Sequence, residues 1–255
     1  MNGKRAWYRD RLSIILLVVG LLLTSIIASF SMFAHADSVN PGVYSKDSSP
    51  FGSNYSEWIH RWWNWNQGTP ASQHPRDNFT SQKCTSNQNG PVWFLADILT
   101  GKEERTCTIP SGKAILVPLL TGECHNDGIP PIMTHDELRK CAREGDEFGV
   151  LSATLDGHKI QNLDQYRTQT GFGNLTIVKG NIFDNKPGTF NSSNADGFFV
   201  FLEPPSPGNH DLQLTTSVVN PTTPSYNYAA DVTYHLIINE NATSLDNPIL
   251  NKKSG

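Results

Sequence analysis

Between Val92 and Ile238 the apolar residues arrive in short runs cut by Gly, Pro, Asn and Asp, and that rhythm narrows the possible folds more than any other feature. VWFLADIL (Val92 to Leu99) ends at Thr100-Gly101, TCTIP runs into Ser111-Gly112, and AILVPLL follows from Ala114 to Leu120. Later come LTIV (Leu175 to Val178), GFFVFLEPP (Gly197 to Pro205), HDLQLTTSVV (His210 to Val219) and DVTYHLII (Asp231 to Ile238). Runs this short, closed by turn residues, read as strands. In the last two, apolar and polar residues alternate, the period of a strand with one face buried. Leu151, Ala153 and Leu155 alternate into Asp156-Gly157, the dipeptide that suits a type I′ hairpin. The pattern predicts a mainly β chain: an antiparallel β-sandwich with jelly-roll or immunoglobulin-like connections and two short helical insertions. Charged residues make up 17% of the chain, below the usual share of roughly 25%, and 20 Gly and 16 Pro argue against a coiled coil or helical bundle.

The first segment reads as an export signal. Lys4, Arg5, Arg9 and Arg11 precede a run without charge from Leu12 to Ala34, and Ala34-His35-Ala36 places small residues where signal peptidase needs them, with Asp37 as the mature start. A run longer than about 18 residues can also span a bilayer, so residues 1–36 are either a cleaved signal peptide or an N-terminal membrane anchor. In both cases the rest of the chain lies outside the cytoplasm, secreted or on the outer face of the envelope. Membrane contact is then expected only through residues 12–34, if they are uncleaved. The whole chain carries a net charge of -4, and removing four basic and one acidic residue with the signal leaves -7. That balance offers no electrostatic footprint for nucleic acid.

Outside the cytoplasm, Cys84, Cys107, Cys124 and Cys141 read as disulfides. Three pairings are open, of which Cys84 with Cys107 and Cys124 with Cys141 is favoured, each closing a loop worth about 3 kcal/mol in the chain-entropy account. Asn54, Asn78, Asn174, Asn191 and Asn241 begin Asn-x-Ser/Thr sequons, which suits an extracellular glycoprotein.

Residues 37–52 read as an extended leader and residues 241–255 as a loose tail, with one domain over residues 53–240 between them. From Asn54 to Trp65, Tyr55, Trp58, Ile59, Trp62 and Trp65 fall on one helical stripe. Asn54 with Glu57 forms a capping box, and Glu57 can pair with Arg61. A second helix, residues 135–144, starts from a Thr134/Glu137 box.

The phrases GPVWFLAD (Gly90 to Asp97), RTCTIPSGKAILVPLL (Arg105 to Leu120), DELRKCA (Asp136 to Ala142) and ADGFFVFLEPPSPGNHDL (Ala195 to Leu212) resemble, as an ordered set, a family of secreted bacterial and archaeal proteins without an assigned activity. The resemblance implies a signal peptide, a tryptophan-rich first helix and cysteines at these places. It implies no reaction.

Two constellations stand out as candidate sites. Exposed indoles of Trp58, Trp62, Trp63 and Trp65 would stack on sugar faces, with Trp63 the best placed for exposure, whereas a buried stripe would pack on the sandwich. Glu123, His125 and Asp127 would share one side of an extended segment, with Cys124 on the other. Carboxylate and imidazole there suit a transition metal or a general base, with His135 and Asp136 nearby in sequence. His210 and His235 read as structural. No Gly-x-Ser-x-Gly elbow, His-Glu-x-x-His or phosphate loop is present, and no cofactor is expected. The leading expectation is a noncatalytic β-sandwich binding a glycan, a surface polymer or a protein. The alternative is a secreted hydrolase or metal-dependent enzyme using Glu123, His125 and Asp127.

Overall fold

The computed structural model describes residues 40–240 apart from 98–99, 130–131, 145, 148 and 223. The segments expected to form the signal or anchor and the tail lie outside the described residues. Among the described residues ten strands carry the fold: β1 (Val92–Phe94), β2 (Gly101–Pro110), β3 (Ala114–His125), β4 (Gly149–Leu155), β5 (His158–Lys159), β6 (Arg167–Gln169), β7 (Gly173–Ile177), β8 (Gly188–Leu202), β9 (Gly208–Val218) and β10 (Tyr228–Asn239). Two α-helices join them among the described residues, α1 (Tyr55–Gly68) and α2 (His135–Glu144). One sheet runs β1-β3-β8-β6, with β7 also on β8, and the other runs β2-β10-β9-β4-β5. The result is a mainly β sandwich with two short helices. Most pairs are antiparallel, while β1 with β3 and β2 with β10 are parallel.

Sequence pattern explains the layers. In β9 and β10 every second residue is buried, so the second sheet turns one face inward and the other to solvent. The last ten residues of β8 are all buried, because both faces of that strand are covered. Phe199 and Phe201 meet the rings of Trp62, Trp58 and Tyr55 on α1. Alternation sends Phe198, Val200 and Leu202 to the opposite face. The Thr216 hydroxyl donates to the Leu119 carbonyl at 2.8 Å and ties the two sheets together. At the β4–β5 turn Asp156 and Gly157 have φ of 52° and 77°, as a type I′ turn requires. His210 donates to the Asp156 carboxylate at 2.7 Å and to the Ser206 carbonyl at 2.8 Å, fastening that turn to β9.

Both helices begin on reciprocal capping boxes. Asn54 accepts from the Glu57 amide and Glu57 from the Asn54 amide, each at 3.0 Å. At α2, Glu137 accepts from the Thr134 amide at 2.7 Å and the Thr134 hydroxyl from the Glu137 amide at 3.3 Å. α2 lies against β3 so closely that a Cβ on Gly122 would come 2.4 Å from the Ala142 carbonyl oxygen, which is why a glycine stands there. The disulfides are Cys84–Cys107, from a short helical turn to β2, and Cys124–Cys141, from β3 to α2, with Cα separations of 5.8 and 6.0 Å. Such bonds suit an oxidising compartment. Just after α2, Arg167 of β6 bridges the buried carboxylates of Asp146 and Asp196. Burial first, and the Asp196 charge second, push the Asp146 carboxyl above its usual range.

The stretch read as a leader is partly sheet. Val43 forms an antiparallel bridge with Leu202, and the Tyr44 amide donates to the Phe201 carbonyl at 2.8 Å. Among the described residues no helix is long and apolar enough to cross a membrane.

Candidate binding cleft

The stacking platform expected from Trp58, Trp62, Trp63 and Trp65 is corrected by burial, since all four indoles are interior. Trp62 is wholly enclosed and donates its indole N–H to the Leu95 carbonyl at 2.7 Å. Trp63, expected to be the exposed ring, sits edge-on to Trp62 and under Phe183 from the β7–β8 connection. Trp58 and Trp65 donate to the Pro50 and Ser86 carbonyls at 2.9 and 3.0 Å. Their N–H groups are therefore committed within the fold.

The edges of Trp58 and Trp65 nevertheless reach a cleft. About 620 Å³ opens between the outer side of α1 and the loop that enters β1, lined by these edges, Arg61, Asn87, Asn89 and Phe94 among others. The loop is held as a wall. The Gln88 side chain donates to the Phe94 carbonyl at 2.7 Å and accepts from the Phe94 amide at 2.9 Å, imitating one rung of a sheet. Cys84–Cys107 fixes the base of the loop, and Trp65 holds Ser86. Asn87 and Gly90 take φ of 53° and 67°, which curl the chain back toward α1. Asn87 donates to Thr69 at 3.1 Å, while Asn64 is committed to His60, Asn174 and Thr176. The Asn89 side chain is exposed at the rim. The arrangement is an apolar floor with amide and guanidinium groups around it, and it is formed before any ligand arrives.

Beneath the wall, the His74 ring packs 5.3 Å from that of Trp65 and accepts from the Arg76 amide through Nδ1 at 3.0 Å. Burial first, then the charges of Arg76, Arg105 and Lys83, lower its pKa to about 3. Burial also lowers the pKa of His60, against the opposing charge of Glu123. An unfolded imidazole takes its proton below about pH 6.5, whereas the folded ones resist it, so stability falls as the pH drops from there toward 3. The melting temperature of the protein is expected to decline between pH 7 and 4.5, and that of His74→Asn, which keeps an acceptor for the Arg76 amide, to decline less. Equal slopes for the two proteins would contradict this account of His74.

The second constellation is brought together only in part. Glu123 accepts from His125 Nδ1 at 3.1 Å and from the Ser193 hydroxyl at 2.7 Å, and the His125 ring lies 4.7 Å from that of Phe190. β3 ends at His125, so Asp127 leaves the shared side and its carboxylate accepts instead from the Ile129 amide at 2.8 Å. His135 stacks on Phe172, and Asp136 pairs with Arg139. Here the carboxylate stands between hydroxyl and imidazole, so the imidazole is not placed to take the Ser193 proton as a nucleophilic triad requires. Among the described residues no three His, Cys, Asp or Glu side chains are grouped as metal ligands. Glu123, His125 and Ser193 thus read as a satisfied polar cluster that ties β3 to β8.

The residues missed from sequence are Gln88, Asn87, Asn89 and Phe94. Their signal was the turn composition of Asn87-Gln88-Asn89-Gly90, which marks a loop but not its neighbour. Compared with protein-family models, with curated proteins and with solved structures, the chain matches none.

Proposed function

We propose that this is an exported, noncatalytic binding module that works on the outer face of the cell or beyond it, and that the cleft beside α1 takes a saccharide of a surface polymer. The observation that carries the reading is the preformed cleft, where aromatic edges and Pro91 make the floor and side-chain amides and a guanidinium stand at the rim. Sugars present the same pairing, an apolar C–H face beside hydroxyls that need hydrogen bonds. The two disulfides support an oxidising location. The exposed sequons at Asn78, Asn174 and Asn191 would carry glycans, whereas Asn54 spends its side chain on the helix cap.

Gly68 provides the test. It lines the cleft at the end of α1, and a Cβ there would meet no heavy atom within 4 Å, so a bulky side chain at this position enters open space. In a panel of envelope polysaccharides assayed by retention and titration, the oxidised wild-type protein is expected to bind at least one without releasing products. Gly68→Trp is expected to bind that polymer about tenfold or more weaker with an unchanged melting temperature. Equal binding by the two proteins, or released products, would overturn the reading.

A further inference from the structure

We infer that the saccharide is anionic, with its carboxylate or sulfate group taken by Arg61 and an adjacent sugar face stacked on Phe51; this rests on the cleft being the saccharide site. Arg61 is the one charged side chain among the described residues lining the cleft. Its guanidinium sits over the indole of Trp58 with Cζ 4.3 Å from the ring centroid, and Nη2 donates to the Ser53 hydroxyl at 2.8 Å. The Glu57 partner expected one turn earlier is absent, because Glu57 gives its carboxylate to the Asn54 amide. Arg61 therefore keeps most of its five donors, in a planar fork that matches the paired oxygens of a carboxylate or sulfate. The indole beneath helps hold that fork in place. In a chain of net charge -4, a cation left without an acidic partner at the mouth of a cleft is a local reversal of sign.

A second observation adjoins the first. Phe51 is 47% exposed and stands edge-on to Trp58 at 6.3 Å, two residues before the Ser53 that Arg61 touches. Its backbone has φ 54° and ψ 31°, a left-handed conformation that a bulky side chain rarely adopts. The bond from the Trp58 indole to the Pro50 carbonyl and that from the Ser53 amide to the same oxygen hold it there. Glycine would fit this backbone with less strain, so an exposed ring kept in it suggests a surface role for the ring rather than a packing one. Phe51 stands outside the lining of the cleft, beside the Trp58 edge that reaches it, and among the described residues it is the exposed aromatic ring.

The probes are matched pairs: polygalacturonate against its methyl ester, and dextran sulfate against dextran, each titrated into the full oxidised protein. In at least one pair the anionic member is expected to bind about tenfold tighter than its neutral partner, and Arg61→Gln to remove that difference by weakening the anionic member about tenfold more than the neutral one. A gain in the galacturonate pair alone would assign a carboxylate, and in the dextran pair a sulfate. Phe51→Gly is expected to melt at a higher temperature and yet bind the preferred polymer more weakly, two effects of opposite sign that a merely structural ring would not give. Pairs that bind alike, or a preference that survives Arg61→Gln, would overturn the inference and leave the saccharide cleft standing. Unchanged affinity in Phe51→Gly would remove Phe51 from the site. Absence of binding by every anionic probe, while a neutral envelope polysaccharide is still excluded by Gly68→Trp, would overturn the anionic assignment alone; absence of all binding would overturn both.

Discussion

Trp62→Ala is expected to lower the stability of the fold by about 3–5 kcal/mol, which for a domain of this size lowers the melting temperature by roughly 10 °C or more. Trp62 has no exposed surface and packs against Trp63, Trp65 and Phe199, so it fastens α1 to the C-terminal part of β8. Removing the indole opens a cavity that rings on three sides cannot collapse into, and it strips the Leu95 carbonyl of its donor. Trp62→Phe should recover part of the loss, because a ring remains while the N–H does not. Since Trp62 does not line the cleft, the folded fraction should bind as the wild type does. Thermal melts with titrations at a temperature where both proteins are folded check the two statements. A shift of only one or two degrees would contradict the placement of Trp62 in the core.

Arg105→Ala should cost about as much, 3–5 kcal/mol, for an electrostatic reason. Its guanidinium is fully buried on β2 and divides its donors among the Glu103 carboxylate at 2.7 Å, the Tyr234 hydroxyl at 2.8 Å, the Arg76 carbonyl at 3.1 Å and the Asp97 carbonyl at 3.3 Å. The Phe79 and Tyr234 rings lie at 5.2 and 5.6 Å from Cζ. One side chain thus pins the segment between α1 and the cleft wall to the second sheet. Truncation leaves two backbone carbonyls without their donor and frees that segment. Arg105→Lys should recover only part, because one ammonium cannot reach the positions that a planar fork reaches. Unlike Trp62→Ala, Arg105→Ala should also weaken binding, since the wall begins where this segment ends. A variant that melts within a degree or two of the wild type would show that the network is dispensable.

The strands and caps were legible because their signals are local. Alternation in β9 and β10 names the inward face without help from distant residues, and Asp156-Gly157 specifies its own turn geometry. The Asn54/Glu57 and Thr134/Glu137 boxes close within four residues. Pairing the cysteines in sequence order, the first with the second and the third with the fourth, matched the bonds formed. Where polar residues occupy a strand, the signal fails: Gly101 to Glu104 of β2 and Gly188 to Ser192 of β8 form strands because neighbouring strands offer a ladder, not because their side chains seek a core. Helical periodicity correctly placed the Trp58, Trp62 and Trp65 stripe against the sheet. It could not show that Trp63, off that stripe, is covered by Phe183 from a segment more than a hundred residues away. Extended alternation brought Glu123 and His125 together and failed at Asp127, because the strand stops first. The cleft itself was illegible, since its wall is set by the Gln88 clamp on Phe94 and the Trp65 bond to Ser86, contacts between separate parts of the chain.

The most direct test of the central claim is hydrogen exchange along the whole oxidised protein, with and without the polysaccharide it retains best. A ligand in the cleft adds protection in residues 58–68 and 86–94, with the strands other than β1 unchanged. Protection confined instead to residues 123–127, or to the outer face of the second sheet around residues 150–152, 215–217 and 229–231, would place the ligand elsewhere and contradict that claim.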